Sequence, residues 1–300
     1  TRPIFGIEWV MTTFKLACVQ TNSGREMAPN IEAVTKLARM AGEAGADFIA
    51  LPENVSMLEP RGRLIKELAR RGDAHPALEA FQALARDVGA WLLVGSLGVK
   101  LSGGKVANRS YLLDANGAIV AWYDKIHMFD VDLPGGESYR ESAIFEPGGR
   151  AVVAATPWGV LGMSVCYDLR FAALYRSLAK AGARFLTVPS AFTRVTGEAH
   201  WHALLRARAI ENGCYVIAPA QCGEHAEGRE TYGHSLIVDP WGEVLADGGT
   251  EVGIIMAEID PAKADDARRM IPSLGHDRPF TEPEAASASS RREAVGASKD

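Results

Sequence analysis

The fold is decided by the segment RAVVAATPWGVLGMSVCYD, which covers residues 150–168. Two apolar runs in this segment are separated by a short Pro-Trp-Gly turn, which predicts a strand, a turn and a second strand. A helical segment, FAALYRSLAKAGA (171–183), and an apolar strand, RFLTVPSAF (184–192), follow directly. Continuous apolar strands indicate burial on both faces, whereas hairpins indicate antiparallel neighbours. The combination predicts a layered α/β protein with mixed sheets and with helices on the outside.

The same alternation extends in both directions along the chain. Asn116-Gly117 lies between two apolar runs in SYLLDANGAIVAWYDK (110–125), and this is the strongest short signal for a hairpin. Gly213 is a predicted C-terminal cap of the helix that precedes it. Helices are predicted at residues 30–45, 75–90 and 199–213. Further strands are predicted at residues 14–20, 46–53, 91–99, 214–221, 234–240 and 253–260.

The composition is that of a globular protein without a strongly charged face. The 300 residues are 47% hydrophobic and 23% charged, and the formal net charge is −5 with no long run of lysine or arginine. A nucleic-acid or anionic-membrane partner requires a basic surface for phosphate contacts, so neither partner is expected. No apolar run approaches the length of a membrane span.

The cysteines indicate the compartment. They are few for a chain of this length and lack the spacing of metal ligands. Reduced thiols in a cytoplasmic protein are therefore expected. The four positions are Cys18, Cys166, Cys214 and Cys222.

The termini differ in composition from the rest of the chain. Met11 opens the segment MTTFKLACVQ, in which the first predicted strand begins at Phe14. The residues before this strand, 1–13, are predicted to be a leader. No composition break divides residues 14–280, which predicts one domain. Residues 281–300 are rich in alanine and serine and lack aromatic residues, and this composition predicts a disordered tail.

Three polar residues follow apolar strands, and together they form a possible catalytic set. Glu53 follows FIALP, Lys125 follows IVAWYD and Cys166 follows VLGMSV. Ligands of open α/β folds bind beyond strand ends, so these side chains are expected to converge. A carboxylate can accept the proton of a thiol nucleophile, and an ammonium can stabilise the resulting oxyanion.

Each of these residues also has a structural interpretation. A free cysteine is often a small buried apolar residue. Glu53 could cap a helix that begins at ENVSM, and Lys125 could be a solvated charge. Ser164 lies two residues before Cys166 and therefore on the same strand face. GMSVC lacks the G-x-S-x-G pattern, so a serine nucleophile is not supported.

The remaining polar motifs favour structural functions. His200 and His202 point to different sides of a helix, so they are not expected to chelate a metal as a pair. LSGGKV (101–106) lacks the phosphate-loop pattern and predicts a hairpin loop. Asp168 and Arg170 are predicted to form an ion pair that fixes the turn after Cys166, because charges beside an apolar strand need partners.

Three segments resemble the signature sequences of the nitrilase (carbon–nitrogen hydrolase) superfamily. They are LPEN around Glu53, YDKIHMFDVDLPG around Lys125 and SVCYDLRF around Cys166. They occur in the order of that family, and the resemblance extends from Phe14 to Phe280. Three motifs in order are far more specific than any one of them, so the nucleophile interpretation of Cys166 is favoured.

The resemblance implies a fold and a site. The fold is a four-layer α-β-β-α sandwich that pairs into a homodimer, and the triad would be Glu53, Lys125 and Cys166. A second glutamate follows the lysine motif in many members; Glu141 in YRES matches it best, and Glu137 in GGES is the rival. The backbone N–H of Tyr167 is expected in the oxyanion hole. The family uses no metal and no organic cofactor.

Other segments are similar to the Nit branch, notably KIHMFDVDLPG, RARAIENGCYVIAPAQCGEH and YGHSLIVDPWGEV. This likeness implies a small-molecule amide substrate in which 2-oxoglutarate is joined to cysteinylglycine. Such a substrate is anionic, so Arg194 and Arg170 are candidates for binding it, although an ion-paired structural function is favoured for Arg170. The enzymatic alternatives are an ω-amidase and an N-carbamoyl amino-acid hydrolase. A non-catalytic binding protein is disfavoured because all three triad residues are present.

Overall fold

The structure is a computed structural model that describes residues 12–133 and 136–283. Most of the predicted leader and most of the predicted tail lie outside the described residues. The six helices among the described residues are α1 (Met27–Glu43), α2 (Gly62–Leu68), α3 (Pro76–Val88), α4 (Ala172–Lys180), α5 (Arg194–Asn212) and α6 (Ala262–Met270).

Sixteen strands are present in the same part of the chain. The first eight are β1 (Phe14–Gln20), β2 (Phe48–Ala50), β3 (Trp91–Lys100), β4 (Val106–Leu113), β5 (Ile119–Asp124), β6 (Asp130–Asp132), β7 (Ser138–Arg140) and β8 (Val152–Thr156). The others are β9 (Gly159–Met163), β10 (Ala183–Thr187), β11 (Tyr215–Ala218), β12 (Cys222–Glu224), β13 (Glu230–Tyr232), β14 (Leu236–Val238), β15 (Val244–Asp247) and β16 (Gly253–Ile259).

Twelve strands form two six-stranded mixed sheets with the same pattern. Sheet A has the order β16-β1-β2-β3-β4-β5, and sheet B has the order β15-β14-β11-β10-β9-β8. The three consecutive strands β1, β2 and β3 of sheet A are parallel, as are β9, β10 and β11 of sheet B. All other neighbours in both sheets are antiparallel. The two halves of the chain therefore build similar units.

The sheets pack face to face with helices outside them. Phe14 of β1 stacks on Trp158 at 4.3 Å between ring centroids and meets Phe185 of β10 edge-on at 5.6 Å. Helices α1 and α3 cover the outer face of sheet A, where Phe81 packs against the strands. Helices α4 and α5 cover sheet B, where Trp201 is fully buried. The predicted four-layer α-β-β-α sandwich is confirmed.

Local sequence signals explain the predicted elements that formed. Helix α3 has Pro76 at its first position, where the missing N–H costs nothing, and ends at Gly89 with a φ of +65°. Gly117 turns the β4–β5 hairpin with a φ of +73°. A Cβ atom there would lie 2.2 Å from the carbonyl oxygen of Gln82, so only glycine fits. Gly213 caps α5 in the left-handed conformation, as predicted.

Some elements and limits differ from the prediction. Helix α1 begins at Met27 rather than Asn30, and α5 begins at Arg194 rather than Ala199. Helix α2 and the small hairpins β6–β7 and β12–β13 were not predicted, because few of their side chains are buried and they show no clear apolar period. None of the described helices combines the length and the apolar character needed to cross a membrane.

Candidate active site

Glu53, Lys125 and Cys166 lie together beyond the ends of β2, β5 and β9. The Nζ atom of Lys125 is 3.1 Å from Oε1 of Glu53, and the Cys166 thiol lies close enough to the same carboxylate for each group to shift the pKa of the other. The three residues are only 2–8% exposed. The structure therefore brings a carboxylate, an ammonium and a thiol into one buried cluster, with the first two contributed by sheet A and the third by sheet B.

Glu53 is placed by a close crossing of two chain segments. Leu51 continues the pairing of β2 by donating its N–H to the carbonyl of Leu93. A Cβ atom on Gly95 would lie 2.0 Å from the carbonyl oxygen of Leu51, so the crossing requires glycine. After Glu53 the chain turns at Asn54, which has a φ of +56°. No helix begins at Glu53, so the capping alternative is wrong.

Hydrogen bonds fix both oxygens of the Glu53 carboxylate. Oε2 accepts the backbone N–H of Ala191 at 2.8 Å, and Oε1 accepts Nδ2 of Asn108 at 2.9 Å. Burial raises the pKa of Glu53, but the positive charge of Lys125 and the hydrogen bonds from Cys166, Ala191 and Lys125 lower it more. The net effect is a pKa below the ordinary glutamate value, so the resting carboxyl group is ionised.

Lys125 lies between two carboxylates. Both oxygens of Glu141 are 2.9 Å from Nζ, which also contacts Glu53. Burial lowers the pKa of Lys125, but the charges of Glu141 and Glu53 outweigh this effect and raise it. The backbone N–H of Phe129 donates to Oε2 of Glu141 at 2.6 Å and fixes that carboxylate. Glu137 is exposed and accepts the hydroxyl of Tyr139 instead.

Sequence reasoning missed Asn108. This residue of β4 donates from Nδ2 to Glu53 at 2.9 Å and to Glu141 at 3.4 Å, so it links the two carboxylates. The backbone carbonyl oxygen of Asn108 also accepts the backbone N–H of Lys125. Its only sequence signal is a buried amide in an apolar strand directly across the hairpin from the lysine, and no motif marks that pairing.

Cys166 lies in a strained turn rather than at the end of a strand. Strand β9 ends at Met163, and Cys166 opens a one-turn 3₁₀ helix with a φ of +50°. For a residue with a Cβ atom this conformation is costly and is typical of functional sites. Its backbone N–H donates to the carbonyl of Pro189 at 3.0 Å. Burial and the adjacent charge of Glu53 raise the pKa of the thiol, so it is protonated at rest.

The predicted ion pair between Asp168 and Arg170 is wrong for the part of the chain that the structure describes. Asp168 is fully buried, where it accepts the hydroxyl of Tyr123 at 2.7 Å and the N–H of Val165 at 2.9 Å. It therefore fixes the turn through neutral donors and through His127, which lies 2.7 Å away. Arg170 points outward instead, toward the ring of His200 and the faces of Tyr167 and Phe192.

Two further polar predictions can be compared with the structure. Ser164 does not share a strand face with Cys166, because the turn intervenes; its hydroxyl donates to the carbonyl of Thr187 and meets the hydroxyl of Tyr175. His202 faces Asp247 rather than His200, as expected for separate helix faces. His202, His234 and Asp247 form a surface group whose ligand atoms lie within 4.8 Å of one another, and none of them lines the cavity.

The cluster opens into a cavity of about 410 Å³, a size suited to a small molecule. Arg194 is not part of its lining. This arginine is 57% exposed and pairs with Glu198 and Glu230, so its position does not support the expectation that it contacts substrate. Its surface ion pairs hold it on the outer side of α5. Arg229 lines the cavity instead, and sequence reasoning missed it because its loop has no recognisable motif.

The layered fold holds a buried carboxylate, ammonium and thiol at one end of a cavity, and such a set of groups is suited to acyl transfer through sulfur. The family model described as carbon-nitrogen hydrolase matches residues 15–269, and the chain belongs to this family. The protein is therefore a hydrolase of carbon–nitrogen bonds other than peptide bonds.

Curated relatives and solved structures agree with this assignment. The chain is 41% identical over 271 residues to a deaminated glutathione amidase of Synechocystis, covering 89% of this chain and 98% of that protein. It is also 41% identical to the human deaminated glutathione amidase, covering 88% of this chain and 82% of that protein. The crystal structure of the Caenorhabditis elegans NitFhit protein superposes with a TM-score of 0.83 at 38% identity. That match covers 89% of this chain and 65% of the longer protein.

Proposed function

We propose that the protein hydrolyses deaminated glutathione to 2-oxoglutarate and cysteinylglycine through a thioester on Cys166. The buried cluster of Lys125, Glu53 and the Cys166 thiol at one end of the cavity carries this proposal, because it supplies a base, a nucleophile and an electrophilic cation at one point. The names of relatives that are 41% identical over most of their length support the choice of substrate.

The first half of the reaction forms the thioester. Sγ of Cys166 attacks the amide carbon while Glu53 accepts the thiol proton. Because the pKa of the thiol is raised and that of the carboxyl is lowered, the proton transfers as the C–S bond forms and not before. The negative charge on the substrate oxygen is stabilised by Lys125 and by the N–H of Tyr167. That N–H lies in the first turn of its helix, where N–H groups lack acceptors within the helix.

The second half releases both products. Glu53 gives its proton to the nitrogen as the C–N bond breaks, and cysteinylglycine departs with the 2-oxoglutaryl group left on sulfur. Water then attacks the thioester while Glu53 accepts one of its protons. The C–S bond breaks, the acid departs, and Glu53 returns the proton to the sulfur of Cys166. One carboxylate therefore serves alternately as base and acid in both halves of the reaction.

Glu141 and Asn108 are assigned to positioning. Glu141 holds the Lys125 ammonium at 2.9 Å, so the lysine remains aimed at the reacting oxygen. Asn108 ties the two carboxylates together and prevents Glu53 from rotating away from the thiol. Removing one donor from an oxyanion site costs about 100- to 1,000-fold in rate, so displacing the Lys125 ammonium is expected to slow the reaction by a similar factor.

We also propose that the protein is a cytoplasmic homodimer. Ile210 of α5 and Trp241 of the β14–β15 turn are 52% and 57% exposed. Ile210 packs against the turn that carries Trp241, since a Cβ atom on the adjacent Gly242 would be 2.6 Å from Cδ1 of Ile210. Large exposed apolar side chains that adjoin one another favour a partner surface.

The substrate proposal is tested with a panel of amides and purified enzyme. The panel contains deaminated glutathione, 2-oxoglutaramate, 2-oxosuccinamate and an N-carbamoyl amino acid, and kcat/KM is measured for each. Deaminated glutathione is expected to have the highest value. A higher value for one of the others would replace the substrate but leave the chemistry intact. An enzyme that hydrolyses none of the four amides would contradict the proposed function.

A further inference from the structure

We infer that Arg229 forms a carboxylate-binding subsite in the active-site cavity and selects amides that carry an anionic group. The inference rests on the proposed function, because it concerns the substrate of the same site. It begins with the charges around the cavity. The described residues that line it include three cations, which are Lys125, Arg140 and Arg229.

Two of these cations are already paired. Lys125 lies between Glu53 and Glu141. Arg140 is bound by both oxygens of Asp132 at 2.8 and 2.9 Å, and it is more than half exposed. Their charges are therefore offset by neighbouring carboxylates before a substrate arrives.

Arg229 differs from both. Within residues 12–133 and 136–283 it forms no salt bridge with a carboxylate, and its buried Nε atom has no hydrogen-bond partner. A buried donor left without a partner destabilises the folded protein. A ligand carboxylate that accepts from Nε and from an Nη atom would satisfy it, since a guanidinium fork matches a carboxylate.

The arginine is held in place for this contact. Nη2 donates to the carbonyl of Ala191 at 3.1 Å, and the guanidinium lies over the ring of Tyr139 at 5.6 Å. The N–H of Ala191 binds the carboxylate of Glu53, so Arg229 is anchored on the residue that also holds the proposed base. The fork is therefore fixed at the reacting end of the cavity, where two carboxylates face one ammonium. An anionic substrate needs an additional cation there.

The test compares one substrate with two analogues that each lack a carboxylate. The parent amide is deaminated glutathione. The first analogue, 4-oxopentanoyl-cysteinylglycine, lacks the carboxylate of the acyl group, and the second has a C-terminal glycinamide and lacks the carboxylate of the leaving group. Wild-type enzyme should lose about 10- to 150-fold in kcat/KM on one of the two analogues, the range for a hydrogen bond to a charged group. The analogue that loses this factor identifies the bound carboxylate.

The variant Arg229→Met should lose the same factor on the parent amide, chiefly through KM, and should show no further loss on the affected analogue. Arg194→Met is the matched control, because Arg194 lies outside the cavity, and it should behave as wild type within about twofold. Arg229→Lys keeps the charge but not the pair of parallel N–H donors, so its kcat/KM on the parent amide should lie between the values of Arg229→Met and wild type.

Several results would overturn the inference. One is an equal loss of Arg229→Met on all three amides, which would indicate a structural function through Tyr139. Another is wild-type kinetics in that variant. If the variant fails to fold, the wild-type enzyme alone decides, since equal kcat/KM on all three amides would also overturn the inference. These results leave the proposed function standing, whereas a wild-type enzyme inactive on every amide would remove both.

Discussion

Glu53 and Cys166 each shift the pKa of the other, and the two pKa values move in opposite directions from their ordinary values. Burial raises the pKa of the thiol, and the charge of Lys125 lowers that of the carboxyl despite its burial. The resting cluster therefore stores its proton on sulfur and its negative charge on oxygen. A thiol held in this state is protected from ionisation until a carbonyl carbon is in reach.

The two neighbouring glutamates provide a matched pair of variants. Glu141→Gln should lower kcat about 100-fold, because the neutral amide no longer holds the Lys125 ammonium in position. Glu137→Gln should remain within about threefold of wild type, since its carboxylate is exposed and contacts Tyr139 instead. Steady-state kinetics on the preferred amide measures both. A loss in Glu137→Gln equal to that in Glu141→Gln would contradict the assignment.

The pH dependence follows from the same pKa directions. Activity needs Glu53 ionised, and its pKa lies below the ordinary value of 4.5, so the acid limb of kcat/KM should fall below pH 4.5. Because the pKa of Glu53 is lower in the folded than in the unfolded protein, its ionised form also stabilises the fold. As the pH falls, the unfolded chain binds a proton first, and this stabilisation is lost as the pH passes through the folded-state pKa. The raised pKa of Lys125 keeps the ammonium charged above pH 10.5.

The measurement is a profile of kcat/KM and of thermal unfolding across pH. A plateau from about pH 5.5 to 8.5 is expected, since neither Glu53 nor Lys125 titrates there. A fall in kcat/KM near pH 7, at pH values where the unfolding profile shows the protein to be fully stable, would contradict the proposal that Glu53 is ionised at rest.

At the scale of elements, the strand ends bring the site together and glycine allows the strands to approach. The apolar strands, the Asn116-Gly117 hairpin and the cap at Gly213 could be predicted, because periodicity and turn chemistry are local signals. The turn at Cys166 could not, since its positive φ is imposed by contacts with Pro189 and with the buried Asp168. Local preference alone favours continuing the strand.

Gly95→Ala tests the crossing that places Glu53. The added Cβ atom would lie 2.0 Å from the carbonyl oxygen of Leu51, so β3 must move away from the segment before Glu53. The variant should lose at least about 1–3 kcal/mol of unfolding free energy, the usual cost of overpacking, and most of its activity. Gly103→Ala is the control, because nothing lies within 4 Å of its added Cβ atom.

Urea denaturation and amide hydrolysis measure both variants. Gly103→Ala should stay within about 0.5 kcal/mol of wild type. An active and fully stable Gly95→Ala protein would show that the crossing does not control the position of Glu53.

At the scale of the whole molecule, two similar sheets each supply part of the site. Glu53 and Lys125 come from sheet A, whereas Cys166 and Ala191 come from sheet B. The sequence motifs identified the first three, because each follows an apolar strand. Arg229 could not be found in this way, since its contact with Ala191 exists only after the sheets have packed. The position of Arg194 outside the cavity could not be predicted either, because charge and proximity in sequence do not tell which side of a helix faces the cavity.

The proposed dimer is tested by Ile210→Glu, with Met40→Glu on helix α1 as the control. Both side chains are about half exposed, at 52% and 45%. A charge buried in an apolar interface costs far more than one on the surface. Size-exclusion chromatography with light scattering should therefore show a dimer for wild type and Met40→Glu and a weakened dimer for Ile210→Glu. Identical masses for all three proteins would contradict this interface.

The most direct test is intact-mass spectrometry of enzyme quenched during turnover of deaminated glutathione, followed by peptide mapping. We expect a mass increase of one 2-oxoglutaryl group, located on the peptide that contains Cys166 and absent from Cys166→Ala. The adduct should appear and decay with the rate of product release. Turnover by Cys166→Ala, or an acyl group on any other residue, would contradict the account.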